Sequence, residues 1–336
     1  MRCLIIKTSS LGDVIHMLPA LTEAKKQLPQ MTFDWVVEQP FAEIPEWHPA
    51  VDKIFTVKIR TWRKNLIKYC REIYQFRQNL RKTTYDYIID AQGLLKTAWI
   101  TKFAKGVSYG FDKNSAREGL SSIFYQHKIT VEKSQHAIYR LQLLLAKIFN
   151  YSPNMSVIDY GIRYHWKQAE HKNQVVFLTG TTWASKHWSL KHWQQLAHYF
   201  CEQNCHVLLP WGNEKEKLSA IEIQDHCKNA SILPEKKSLF ALLEIFTQSK
   251  AVIAVDTGLA HLAAACNVPS VTIYGSTSPK LTGTKGNNAV HIASTLPCVP
   301  CLKRNCRISQ EVFAPCGISI SAQSVFNRLN ALLSQH

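Results

Sequence analysis

No stretch of this chain approaches the roughly 18 consecutive apolar residues that a membrane-spanning helix requires. The apolar start, Cys3 to Ile6, runs directly into Lys7 and a polar loop, and a secretory signal peptide needs a longer apolar core than that. The expectation is a cytoplasmic protein, whose ten cysteines stay reduced and serve as thiols or metal ligands, not disulfides. Low-complexity segments and short repeats are also missing, and with 46% hydrophobic and 19% charged residues the composition excludes fibrous and disordered classes. Acidic residues are scarce. Against 40 Lys and Arg stand 24 Asp and Glu, a formal charge of +16. Such an excess points to a polyanionic partner: nucleic acid, an anionic membrane or an acidic glycolipid. Solubility alone would explain it equally well.

At 336 residues the chain exceeds what one hydrophobic core usually fills, so two domains of roughly 150 residues each are expected. In the first half, short β-rich runs alternate with helical patterns: Cys3 to Ile6, an amphipathic stretch from Val14 to Leu28, then Asp34 to Val37. Lys53 to Val57, a basic helix from Leu66 to Arg81, Tyr85 to Asp90 and a helix from Gln135 to Phe149 follow. Periodicity fails around Tyr151-Ser152-Pro153-Asn154 and restarts at Val175 to Leu178. The second half then reads as a helix from Leu190 to Gln203, His206 to Leu209, a helix from Leu239 to Gln248, Ala251 to Val255, a helix from Leu259, and Ser270 to Tyr274. Strand, helix, strand is the unit of a parallel sheet. The reading is α/β with two doubly wound domains, 1–155 and 156–336, the last helix free to pack back on the first domain. Ligands of such sheets bind at the carboxyl ends of strands.

Loops after strands therefore carry the candidates. Lys7-Thr8-Ser9-Ser10-Leu11-Gly12-Asp13 joins the first strand to the first helix, where N–H groups and hydroxyls suit an anion and where Ser10 or Asp13 would equally serve as a helix cap. A Gly-x-Gly-x-x-Gly fingerprint is absent, which argues against an ordinary dinucleotide site in this half. Gly180-Thr181-Thr182-Trp183-Ala184-Ser185-Lys186-His187-Trp188 offers hydroxyls and a lysine able to neutralise a departing diphosphate; the plainer reading is a polar loop with Trp188 and Trp193 as core aromatics. Val255-Asp256-Thr257-Gly258-Leu259-Ala260-His261 places N–H groups at a helix start with His261 one turn on, an arrangement that fits a phosphate. Arg60-Thr61-Trp62-Arg63-Lys64, with Arg117 and Arg140 later, offers planar two-point donors to carboxylates and phosphates, or else the solvated face of a basic helix. Cys298-x-x-Cys301-x-x-x-x-Cys306, with Cys316 beyond, could close a four-thiolate structural zinc site, which would leave no open position for catalysis. Uncoordinated thiols are the alternative.

Lys7 to Asp13, Asp90-Ala91-Gln92-Gly93, Lys186-His187-Trp188 and Asp256 to His261 occur in this order, and together they resemble the lipopolysaccharide heptosyltransferases of glycosyltransferase family 9. The likeness runs from the first strand to about Ser278. Ser9-Ser10-Leu11-Gly12-Asp13 is similar to the type I form, whereas type II, the runner-up, usually carries a bulky aromatic ahead of its Gly-Asp. The resemblance implies a GT-B fold, two Rossmann-like domains facing across a cleft. It further implies an acceptor held by the first domain and a nucleotide sugar held by the second. The donor would be ADP-L-glycero-β-D-manno-heptose and the acceptor the 3-deoxy-D-manno-octulosonic acid (Kdo) of Kdo-lipid A, joined with inversion. Asp13 would be the base. Thr181, Thr182 and Lys186 would contact the diphosphate, Asp256, Thr257, Gly258 and His261 would complete that pocket, and Glu216, after Trp211-Gly212, would hold the ribose. Ser9, Ser10 and Gly12 with Arg60, Arg63, Lys64, Arg117 and Arg140 would meet the acceptor. No cofactor is required in this picture, and the enzyme would work peripherally on the anionic cytoplasmic face of the inner membrane. A nucleic-acid partner predicts aromatics interleaved with basic residues on one face, which the sequence does not show. A non-catalytic nucleotide- or polyanion-binding protein is the alternative of another class.

Overall fold

A computed structural model describes residues 1–162 and 172–335. The chain divides into two compact units, Met1–Tyr164 and His165–His336. Residues past 155 stay with the first unit because Lys26 Nζ donates to Asp159 Oδ2 at 2.7 Å and because Gly161 passes against Thr22 and His48, where a Cβ would collide with both side chains. The boundary expected at 155/156 therefore moves to 164/165.

In unit 1, β1 (Arg2–Ile6), β2 (Thr32–Glu38), β3 (Val51–Val57), β4 (Thr84–Asp90), β5 (Lys105–Phe111) and β6 (His127–Ile129) form one six-stranded sheet in the order β3-β2-β1-β4-β5-β6. Every pairing is parallel. Cys3, Leu4, Ile5 and Ile6 are all fully buried, as a central strand covered on both faces must be. The amphipathic stretch at 14–28 is two helices, Leu11–Ile15 and Leu18–Gln27. Pro19 in the first turn of the second has no N–H to continue the ladder, so it starts a helix there. The helix Ala137–Phe149 packs on Leu18–Gln27, and the basic helix, shorter than expected at Cys70–Arg81, buries Phe76 and Leu80 with Leu4, Ile6 and Trp62.

Unit 2 repeats the topology. Its strands β7 (Lys172–Leu178), β8 (His206–Leu209), β9 (Ala230–Ile232), β10 (Ser249–Val255), β11 (Ser270–Tyr274) and β12 (Ala289–Ala293) run β12-β11-β10-β7-β8-β9, all parallel. The C-terminal helix Ala322–Leu333, which the sequence left free to return to the first domain, is instead built into the unit 2 core through Val325, Leu329 and Leu332. Trp188 and Trp193 lie in the same core. Cys201 and Cys227 form a disulfide with Cα atoms 6.5 Å apart, which corrects the expectation that every cysteine is a free thiol; the end of the helix Leu190–Glu202 and the turn after Glu214–Gln224 bring the two together. Among the described residues no helix is long and apolar enough to cross a membrane.

At the amino end of the first sheet Asp34 is fully buried, gripped by Arg2 through Nε at 2.9 Å and Nη2 at 2.7 Å, with the Tyr85 hydroxyl donating at 2.9 Å. A buried carboxylate stripped of its cation is strongly destabilising. Arg2→Ala should therefore cost about 3 kcal/mol, read as a lower denaturant midpoint at unchanged slope. A loss within about 0.5 kcal/mol would mean that Asp34 finds water or another donor once Arg2 is gone.

Candidate functional site

Each sheet reverses direction between its first and fourth strands, β1 and β4 in unit 1 and β7 and β10 in unit 2, and this switch opens a crevice at the carboxyl ends. In unit 1 the loop Thr8–Ser10 leaves β1 and the loop Ala91–Leu94 leaves β4. The two are sewn together: Gln92 Nε2 donates to Ser9 O at 2.6 Å, and Lys96 Nζ donates to Ser9 Oγ at 3.2 Å. Beneath them Asp90 is fully buried, accepting from Tyr125 Oη at 2.6 Å, Thr97 Oγ1 at 2.9 Å and the N–H of Gln92 at 2.8 Å. Burial pushes the Asp90 carboxyl up against these donors. It organises the loop and has no open face for substrate.

Asp13 sits in the first turn of Leu11–Ile15, and its Oδ2 accepts from the Ser10 N–H at 3.0 Å and the Ser10 hydroxyl at 3.2 Å. The helix-cap reading is thus realised. The same oxygen pairs with Arg117 Nη1 at 3.4 Å. Burial alone would raise the Asp13 carboxyl, but the Lys7 ammonium, the Arg117 guanidinium and the Ser10 donors outweigh it and hold the group below the ordinary carboxylate range. Lys7 itself is buried, donating to Ala91 O at 2.9 Å, and burial lowers its own pKa. Gly12 is buried in the same helix.

The basic candidates divide. Arg60 lies on the short helix Ile59–Trp62 and is exposed, as are Arg63 and Lys64 just after it. Arg117 is exposed beside Asp13. Arg140 is engaged in the fold, donating from Nη2 to Ser115 O and lying 5.0 Å over the Phe111 ring, although its charge is felt by Lys7. Three residues here escaped the sequence reading as contact residues: Lys7, Glu38 at the end of β2, and Lys96. Lys7 lies within the motif read after β1, whereas Glu38 and Lys96 had position alone to mark them, at the end of β2 and beyond the end of β4.

In unit 2 the loop after β7 meets the loop after β10, Thr181 Oγ1 donating to Asp256 O at 3.1 Å. Lys186 Nζ pairs with Asp256 Oδ2 at 2.8 Å and stands 4.6 Å over the Trp183 ring. Thr277, unmarked by the sequence, donates to the same Asp256 oxygen at 2.6 Å. Thr182 is exposed; Thr257 precedes and Gly258 begins the helix Gly258–Ala265, on which His261 is buried. Glu216 is fixed by the Gly212 N–H and Asn213 Nδ2, both at 2.7 Å. A cavity of about 160 Å³ opens between Thr181, His187, Asn213, Glu216 and Phe313. A Cβ at Gly180 would meet the Glu216 carboxylate, so a larger residue there would displace that side chain from its two donors. Burial lowers the His187 pKa, favouring a neutral ring.

Cys298, Cys301, Cys306 and Cys316 line a second, apolar cavity. Among the described residues no group of three or more His, Cys, Asp or Glu could hold a metal ion, so the expected zinc site is not assembled: the thiols border one space without converging on a point.

Residues 73–311 match the family model "Glycosyltransferase family 9 (heptosyltransferase)". The chain belongs to glycosyltransferase family 9. It is therefore an enzyme that transfers a glycosyl group. Lipopolysaccharide heptosyltransferase 1 of Pseudomonas aeruginosa is 47% identical over 311 residues, 91% of this chain and 87% of that protein. Among solved structures, E. coli heptosyltransferase WaaC with ADP superposes with TM-score 0.87 at 37% identity, covering 99% of this chain and all of that one. The same E. coli protein with ADP-2-deoxy-2-fluoro heptose gives 0.85 at 38%, covering 98% and 99%. This family 9 chain shares their GT-B fold class, and its two Rossmann-like units are those described above.

A pH dependence follows from the Asp13 environment. A carboxylate whose pKa is depressed is in its basic form above that pKa and loses it only as pH falls through it. Lys7→Met removes the principal depressing charge and leaves burial in place. The acid limb of the transfer rate should then move to higher pH, with the folded state verified by thermal midpoint at each pH. An acid limb that does not move would show either that Asp13 does not set that limb or that Lys7 has no electrostatic hold on it.

Proposed function

We propose that this family 9 enzyme is a type 1 lipopolysaccharide heptosyltransferase. It moves L-glycero-D-manno-heptose from ADP-L-glycero-β-D-manno-heptose to the Kdo of Kdo-lipid A during inner-core synthesis, with inversion. The observation that carries the chemistry is an ionised carboxylate, Asp13, set among cations at the strand ends of unit 1. Asp13 accepts the proton of the acceptor hydroxyl as that oxygen bonds to the anomeric carbon; the bond from that carbon to the diphosphate breaks, and ADP leaves with the electron pair. Ser9 and Ser10 position the hydroxyl, while Arg60, Arg63, Lys64 and Arg117 receive the carboxylate and phosphates of the acceptor.

Unit 2 takes the donor in this reading. Lys186, with Thr181, Thr182 and the N–H groups at Thr257 and Gly258, compensates the charge that develops on the diphosphate, and no metal is called on. Asp256 suits hydroxyls of the heptose better than phosphate, since a carboxylate repels a second anion. Glu216, rigid on two donors, accepts from the ribose hydroxyls, and His261 supports the helix that carries Gly258. Contact with the bilayer is peripheral: Leu66 and Ile67 are exposed at 58% and 87% between Lys64 and Lys68, and a basic surface is drawn to anionic lipid.

Asp13→Asn keeps the shape and a good capping residue, so folding stability should change by no more than about 1 kcal/mol. Loss of the base should lower kcat by about a hundredfold, with ADP-heptose affinity retained in calorimetry. Near-normal turnover would leave Asp13 as a cap alone. Lys186→Ala should weaken donor binding and slow ADP release by about a hundredfold or more; unchanged kinetics in a folded variant would remove Lys186 from the site. Arg60→Ala and Arg63→Ala should raise acceptor KM and leave donor KM alone, and equal effects on both substrates would remove the acceptor assignment of unit 1.

A further inference from the structure

Glu38, the last residue of β2, is a buried carboxylate that braces the first turn of the helix Ile59–Trp62 yet leaves one oxygen unused. It is 4% exposed, and its Oε1 is buried with no hydrogen-bond partner among the described residues. Leaving a buried charged acceptor unsatisfied is costly, so a buried carboxylate normally has a mate. Its surroundings explain why it is tolerated. Its own N–H is tied to Thr8 O at 3.0 Å, which places it beside the Ser9–Asp13 loop. The N–H groups of Arg60 and Ile59 and the charges of Lys96 and Arg60 oppose the effect of burial, which still raises the carboxyl above its ordinary value. Lys96, half-buried, links the two sides: its Nζ bonds Ser9 Oγ, and its charge is felt alongside Glu38, Arg60, Arg63 and Asp13. One carboxylate oxygen without a donor therefore stands within a group of cations next to Asp13.

An all-cationic pocket would suit inorganic phosphate or any polyanion. A carboxylate inside it does not, because it repels anions, whereas a sugar acid presents a carboxylate and several hydroxyl donors on one ring. We propose that Glu38 and Lys96 form a sugar-acid subsite in unit 1, in which Lys96 with Arg60 takes the carboxylate of the acceptor sugar and Glu38 Oε1 accepts one of its hydroxyls. The subsite rests on the reading of unit 1 as the acceptor-binding half. It makes Glu38 a specificity determinant, because it discriminates a polyhydroxylated acid from a phosphate of equal charge.

The test uses the full-length enzyme with Kdo-lipid A, its Kdo methyl ester, and acceptors lacking single Kdo hydroxyls. Wild-type enzyme should lose about tenfold or more in acceptor KM on esterification, the range for a charge-assisted hydrogen bond. Lys96→Met should raise the KM for the free acid similarly and become nearly indifferent to the ester, with Lys96→Arg restoring the preference. Glu38→Gln should raise acceptor KM about tenfold with ADP-heptose KM and thermal midpoint unchanged, and at least one deoxy acceptor should be insensitive to it. If Glu38 merely braces the backbone at Ile59 and Arg60, Glu38→Gln will affect every deoxy acceptor equally, and the subsite falls. It falls as well if Lys96→Met still discriminates acid from ester. Should Arg60→Ala and Arg63→Ala also leave acceptor KM untouched, the acceptor assignment of unit 1 fails first; if they raise it while Glu38→Gln and Lys96→Met do not, the subsite alone is wrong.

Discussion

The reversal of strand order at the centre of each sheet is the constraint on which the rest depends. Two helices that leave neighbouring parallel strands for opposite faces must diverge, and the backbone between them cannot close over the carboxyl ends. Side chains and loops have to fill that gap or a ligand will. In unit 1 the filling is done by Gln92, which clips the loop after β4 to the loop after β1, and by Lys7, whose ammonium reaches Ala91 O. In unit 2 Thr181 and the Lys186–Asp256 pair serve the same purpose. Asp13, Lys186 and Asp256 lie on these four loops or one turn beyond, while Arg60, Arg117 and Glu216 come from the connections after β3, β5 and β8.

The two units use the shared frame with opposite electrostatics. Unit 1 sets the Asp13 carboxylate among Lys7, Arg117 and Lys96; unit 2 buries one carboxylate, Asp256, against one lysine. In the first case the net charge at the strand ends is positive and the acid is held ionised. In the second, lysine and carboxylate nearly cancel, and the positive ends of backbone N–H groups at Gly258 are left to set the preference for anions. A duplicated topology therefore need not duplicate a binding preference.

The central strands were legible because residues buried on both faces must read as continuous apolar runs, as Cys3 to Ile6 and Ala251 to Val255 do. The strands missed were at or near the edges: β5 carries Gly106 and Gly110, β6 and β9 have three residues each, too short for any period to register, and β12 is an edge strand only partly buried along its length. The helix Glu214–Gln224 was missed because charged residues crowd its first turn. The loops around Asp13, Lys186 and Asp256 were identified through the order of motifs, a property of the sequence. Glu38 and Thr277 were not, because a lone polar residue at a strand end has no local pattern, and only folding shows that Glu38 Oε1 has no donor among the described residues and that Thr277 reaches Asp256. The cysteines show the converse: spacing suggested a metal set, and three-dimensional placement disperses it around a cavity.

A carboxylate made more acidic by Lys7, Arg117 and Ser10 is a weak base for an alcohol. A strong base is not what the step needs. The acceptor hydroxyl is far less acidic than Asp13 in the ground state, so no proton moves before bonding begins. As the oxygen shares its electrons with the anomeric carbon it becomes positively charged, and its acidity rises until even a depressed carboxylate can accept the proton. The cations that weaken Asp13 as a base favour its ionised form, and they draw in an acceptor bearing several negative charges. With Asp13 as the proposed base, proton transfer falls late in the displacement, after the acceptor oxygen has begun to bond to the anomeric carbon.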